Sequence, residues 1–155
     1  MKDSRNKYYY DTIKTALLTL KAEDYKLQIL DDIDETQVPF LCVDIEEERY
    51  NYTLSEDNEY ITDTETNFTI YYMYKLPKKN SSLEEIRAHT YYWIDLIESK
   101  FKDLTITDFT DSLNNETARI DSIWFNGNNK IYPNNKDVNG VQITGLIKTI
   151  IINNL

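Results

Sequence analysis

Between residues 67 and 101 the apolar residues change their period once, and that switch narrows the possible folds more than any other feature. From Asn67 to Lys75 the chain alternates: Phe68, Ile70, Tyr72 and Tyr74 point one way, and Thr69, Tyr71, Met73 and Lys75 the other. That is the period of a strand. Pro77 and the polar run through Ser81 end it. Ser82-Leu83-Glu84-Glu85 then has capping-box spacing, because the Ser82 hydroxyl can accept from the backbone N–H of Glu85 while the Glu85 carboxylate reaches back. The helix that follows carries Ile86, His89, Trp93, Ile94, Ile97 and Phe101 on one stripe. A strand with one apolar face followed at once by an amphipathic helix implies a helix packed on a sheet.

The flanking sequence extends this plan. Tyr9, Ile13, Ala16, Leu17 and Leu20 recur at steps of three and four and predict a first helix, with Asp3 or Ser4 as its cap. Tyr25 to Leu30 reads as a short extended stretch leading into the acidic loop Asp31 to Glu35. Pro39 opens a strand from Phe40 to Ile45 with apolar groups on both faces, and Tyr50, Tyr52 and Leu54 alternate as a second, half-buried strand. Ser55 to Asn58 reads as a turn before a further strand at Glu59 to Glu65. Thr105 to Glu116 is polar and broken, anchored by Ile106, Phe109 and Leu113. Ala118 to Phe125 alternates, Gly127-Asn128-Asn129 suggests a turn, and Pro133 to Asp137 a loop. Gly140 and Gly145 bracket a bend before a last, buried strand from Leu146 to Asn153. The expected fold is a single α+β domain over 1–155: one mixed or antiparallel sheet of about five to six strands with two helices packed on it.

Charge and cysteine usage restrict function. With 17 Lys and Arg against 27 Asp and Glu, the net charge is −10, which argues against nonspecific binding to nucleic acid. One cysteine, Cys42, permits no intramolecular disulfide and suits a reducing compartment. The opening MKDSRNKYYYDTIK has no apolar core of signal-peptide length, and no run approaches the roughly 18 apolar residues of a membrane span, so a soluble, non-membrane protein is expected. The 13 tyrosines include Tyr8-Tyr9-Tyr10, Tyr71-Tyr72 and Tyr91-Tyr92, each expected to place one phenol in the core and another on the surface.

Catalysis finds little support. His89, the single histidine, lies on the apolar stripe of the second helix, where a packed imidazole is the favoured reading. Cys42 sits inside a strand with no cation beside it and reads as a buried, inert thiol. Strand alternation splits Asp44, Glu46, Glu47 and Glu48 between two faces, and a solvated strand edge is favoured over a cation site. Asp31, Asp32, Asp34 and Glu35 are better placed for calcium but lack the glycine of an EF-hand loop. Three scattered glycines make no phosphate loop, and no serine lies in a Gly-x-Ser-x-Gly elbow. The expectation is a protein that is not an enzyme, holds no cofactor or metal, and acts through its surfaces.

The order of elements resembles the tail-terminator (tail-completion) proteins of long-tailed bacteriophages and phage-tail-like particles. It is carried by the first helix through Leu20, the entry Val38-Pro39-Phe40-Leu41-Cys42-Val43, the strand Phe68 to Tyr74 before the capped helix Ser82 to Phe101, and the terminal strand Leu146 to Ile152. The resemblance implies a virion protein, assembled in the host cytoplasm, that forms a ring of six copies. The ring would stop the tail tube, meet the head–tail connector, and let DNA pass an acidic lumen without binding. It carries no individual residue role. The candidate interface comprises Glu46, Glu47, Glu48, Arg49, Tyr50 and Asn51, then Ser55, Glu56, Asp57 and Asn58. A third segment adds Asn128, Asn129, Lys130, Tyr132, Asn134, Asn135, Lys136 and Asp137. An acidic binding inhibitor (a toxin immunity protein or a DNA mimic) and another neck or baseplate component are the rival classes.

Overall fold

The computed structural model describes residues 4–54, 59–77, 81–102, 104 and 108–154. Helix α1 spans Arg5–Leu18, and Ser4 caps it by accepting from the Lys7 N–H at 3.2 Å. A 3-10 turn, Thr19–Ala22, carries the chain on so that Leu20 still reaches the core. The strands are β1 (Gln28–Leu30), β2 (Phe40–Leu54), β3 (Glu59–Tyr74), β4 (Asp108–Asp111), β5 (Glu116–Ile131) and β6 (Asn139–Asn154). Helix α2 spans Leu83–Ser99 and begins with the full capping box: Ser82 Oγ accepts from the Glu85 N–H, and the Glu85 carboxylate accepts from the Ser82 N–H.

The strands form one mixed sheet in the order β1-β2-β3-β6-β5-β4. Only β1 runs parallel to its neighbour; the other pairs are antiparallel. The expected α+β plan, two helices on a sheet of six strands, is therefore present. Both helices lie on one face. Tyr9, Ile13 and Leu17 of α1 and Trp93 and Ile97 of α2 share a buried cluster with Leu41, Ile70, Ile143 and Ile147. The rings of Phe68, Phe101 and Phe125 pack together in its middle, with centroid separations from 5.0 to 6.4 Å. A small second cluster of Phe40, Cys42, Met73 and Val138 occupies one end of the opposite face.

Several local expectations give way to longer pairing. Residues 40–54 form one strand, because a bulge between Ile45 and Glu48 absorbs the extra residue at Glu46-Glu47. Residues 59–74 are likewise one strand. Gly127-Asn128-Asn129 is not a turn: it lies inside β5, paired with Thr144, Ile143 and Gln142. Gly140 and Gly145 mark no bend, since both sit within β6. A Cβ on Gly145 would run into the Phe68 ring and lie 2.7 Å from the Trp124 carbonyl oxygen, so glycine here answers to close packing. Of the expected anchors, Phe109 is buried, Leu113 is 62% exposed in a turn, and Ile106 falls outside the described residues. Tyr91 and Tyr92 both face outward, and Trp93 takes the core position beside them. Among the described residues no helix is long and apolar enough to cross a membrane.

Candidate interaction surface

The groups with reactive potential are committed to packing. His89 is half-buried; its Nε2 lies 3.0 Å from the Tyr72 hydroxyl and its ring packs 4.2 Å from that of Tyr74. Burial lowers its pKa, against a weaker opposing pull from Asp24, so the imidazole is neutral at pH 7. Cys42 is buried, and burial raises its pKa further with help from the Asp32, Asp44 and Asp31 carboxylates, which suppresses the thiolate. In the acidic loop, Asp34 caps the short 3-10 turn Glu35–Gln37 by accepting from the Thr36 N–H. Asp31 accepts from the Tyr10 hydroxyl at 3.0 Å. Glu35 turns away to accept from the backbone N–H groups of Asn134 and Asn135 at 2.8 and 3.4 Å. These carboxylates serve the loops. Among the described residues no group of three or more His, Cys, Asp or Glu is gathered as metal ligands would be.

A buried ionic cluster ties the distal end of the sheet to α1. Arg5 donates to Glu116 at 2.6 Å and to Glu48 at 2.7 Å, and Asp111 lies 3.4 Å away. The Asp111 side chain is fully buried, and it accepts from the Leu113 and Asn114 N–H groups of the β4–β5 turn. Burial alone would lower the Arg5 pKa, but the hydrogen bond and charge of Glu48 and the charge of Glu116 outweigh it and raise it. Burial raises the Glu116 pKa; Arg5 opposes that shift, and Asp111 and Glu48 add to it. Sequence reading missed Arg5, and it placed Glu48 at a solvated edge or interface. That placement is corrected here: the bulge turns Glu48 to the helix-covered face, where Arg5 and Thr66 hold it.

Two broader features of the sheet are also open to a partner, its backbone edges and its uncovered face. On one side β1 covers β2 only along Phe40–Cys42; on the other β4 covers β5 only along Glu116–Arg119. Among the described residues, β2 from Val43 to Leu54 and β5 from Ile120 to Ile131 therefore have no outer strand partner. The register sets these edges at matching heights. Val43, Ile70, Ile143 and Asn128 form one row across the sheet, and Tyr50, Thr64, Thr149 and Ile120 another. Among the described residues no helix covers the opposite face, and beyond the small cluster at one end it is bare along most of its length. There Asp44, Glu46, Asp63, Glu65 and Asp108 outnumber Arg49, Arg119 and Lys148, and Trp124 and Ile150 stand 40% and 39% exposed. At its far end the β2–β3 pair extends past β6: among the described residues Glu59–Thr62 of β3 has only β2 beside it.

The expected interface residues separate accordingly. Glu46, Glu47 and Arg49 lie exposed along the β2 edge, and Glu46 accepts from the Thr69 hydroxyl at 2.6 Å. Tyr50 is on the helix-covered face with the Arg5 guanidinium 5.8 Å from its ring centre, and Asn51 continues the β2 edge. Ser55, Glu56, Asp57 and Asn58 lie outside the described residues. Asn128 and Lys130 flank a groove beside α2, whereas Asn129 points to the bare face. Tyr132 is 82% exposed beside Lys130, and the loop of Asn134, Asn135, Lys136 and Asp137 is pinned by Glu35 and by buried Val138. The long β5 edge was hidden because a Gly-Asn-Asn run mimics a turn.

No protein-family model matches this chain, and no curated protein matches it either.

Proposed function

We propose that the protein assembles head to tail into a closed ring and, as a tail-terminator-like component of a phage or phage-tail-like particle, caps the tail tube beneath the head connector. The observation that carries this reading is the pair of long edges, open among the described residues, on opposite sides of one sheet. In the order β2-β3-β6-β5 every neighbour is antiparallel, so β2 and β5 run in opposite directions. A neighbouring copy related by simple rotation therefore presents its β2 antiparallel to β5, with its helices on the same side. The unpaired backbone groups of both edges gain partners. Such an interface uses two different patches, and repeated pairing closes into a ring when the rotation closes.

The charge pattern supports the same reading. With helices outward, the bare face lines the lumen, and its excess of carboxylates repels DNA so that the duplex passes without adhering. The projecting β2–β3 hairpin is placed to reach the tube below. The test blocks the edge and leaves the core alone. Asn126 is exposed at the β5 register shift between Phe125 and Gly127, and because proline is poorly tolerated in a strand paired on both sides, Asn126→Pro should hinder pairing by a neighbouring copy. Wild-type protein should appear as rings in negative-stain micrographs, and the variant as a folded monomer whose particles carry tails of uncontrolled length. Wild-type protein that stays monomeric at high concentration and never enters particles overturns the proposal, and the acidic-inhibitor reading then moves ahead.

A further inference from the structure

We infer that the groove between α2 and the end of β5 binds an extended acidic segment of a partner protein. The groove has a volume of about 360 Å³, within the range of small ligand and peptide pockets. Its apolar lining comes from Ile86 and Ile94 of α2 and Val141 of β6, and Tyr91 and Tyr132 rise at its rim, 59% and 82% exposed. Among the described residues the charged groups lining it are Arg87 and Lys130, with no carboxylate. In a chain of net charge −10 that is a local reversal of sign. Among the described residues neither cation has an ion-pair partner; Lys130 lies only over the Tyr132 ring, 5.4 Å from its centre.

Backbone supply points to the shape of the occupant. The edge of β5 along the groove, Asn128 to Ile131, has no outer strand among the described residues. An extended segment added there pairs its backbone with β5 and turns alternate side chains into the groove. An apolar side chain then covers Ile86 and Ile94, while flanking carboxylates meet Arg87 and Lys130. Peptide is favoured over nucleic acid on two counts. Two cations neutralise too few phosphates to hold a strand against the overall charge, and an apolar floor suits an aliphatic side chain. Asn128 to Ile131 is part of the β5 edge offered above to a neighbouring copy, so a bound segment and a neighbour's β2 compete for it; the inference itself does not depend on ring formation.

The probe is a capped pentapeptide, Glu-Asp-Leu-Asp-Glu, titrated to the order of 1 mM, the range of a weak peptide ligand. Amide shifts are followed by NMR on the intact protein. Two further arms use the same peptide with lysine replacing each acid, and a short thymidine oligonucleotide. The acidic peptide should shift Arg87, Thr90, Tyr91 and Lys130, and added salt should weaken it. Arg87→Glu with Lys130→Glu should reduce its affinity by roughly tenfold or more at unchanged circular dichroism. Lys130→Gln, a milder change at an exposed position, keeps the test valid should the double variant misfold. Absence of shifts at these residues, equal binding of the basic peptide or the oligonucleotide, or undiminished binding by folded charge variants overturns the inference.

Discussion

Replacing Arg5 with methionine keeps much of the side-chain volume and removes the cation that pairs with three carboxylates, Glu48, Asp111 and Glu116. The Arg5, Glu48 and Glu116 side chains are 7%, 11% and 12% exposed, and that of Asp111 is fully buried. With charge centres about 4 Å apart, an effective dielectric constant near 20 gives a gross attraction of ~4 kcal/mol for each such pair. Desolvation of the ions offsets much of that, but removing one partner leaves the other charges buried without compensation, which typically costs about 3–5 kcal/mol. The same reasoning fixes a pH signature. Without Arg5 the carboxylates repel one another, protonation relieves the repulsion, and the stability deficit of the variant should shrink from pH 7.5 to pH 4.5. Urea unfolding followed by tryptophan fluorescence measures both effects. Arg5→Met with Glu116→Gln should recover part of the loss. A deficit below about 1 kcal/mol, or one of equal size at both pH values, refutes the view that charge pairing holds α1 to this end of the sheet.

Two further perturbations report on the core. Burial lowers the pKa of His89, so the unfolded chain binds more protons in the window just below the ordinary histidine value. Stability should therefore fall as the pH drops through that window, and His89→Gln should flatten the slope there; an unchanged slope assigns it to other groups. Gly145→Ala forces a methyl group against the fully buried Phe68 ring and a backbone carbonyl, and should destabilise by about 1–3 kcal/mol in the same urea assay. A neutral result means the central strands can separate at little cost.

Legibility in the sequence followed the range of the interactions. The capped helix α2 and the alternation of β3 were readable because their causes lie within a few residues: Ser82 to Glu85, and Phe68 to Tyr74. The element order and the two-layer plan followed from those signals. Gly127 and Gly145 misled because glycine signals a turn locally, whereas here one pairs with Thr144 and the other makes room for Phe68. The Arg5 cluster was invisible for a related reason. Its contacts span 43 positions to Glu48 and 111 to Glu116, and no local period encodes them. The candidate surface was half legible. Acidic segments and polar loops stand out in the sequence, but an unpaired edge is a property of topology, known only once the neighbours of each strand are known.

The placement of β6 has a consequence for how the chain matures on the ribosome. It follows every other strand in sequence yet lies inside the sheet, between β3 and β5. During synthesis the β2–β3 hairpin and the β4–β5 pair can each form by local closure, but no strand joins them until residues 139–154 emerge. Until then the nascent chain presents two half-sheets, each with an apolar flank that the last strand must seal. Vectorial emergence thus makes completion of the fold a late event, and a chain truncated before residue 139 has no centre to its sheet.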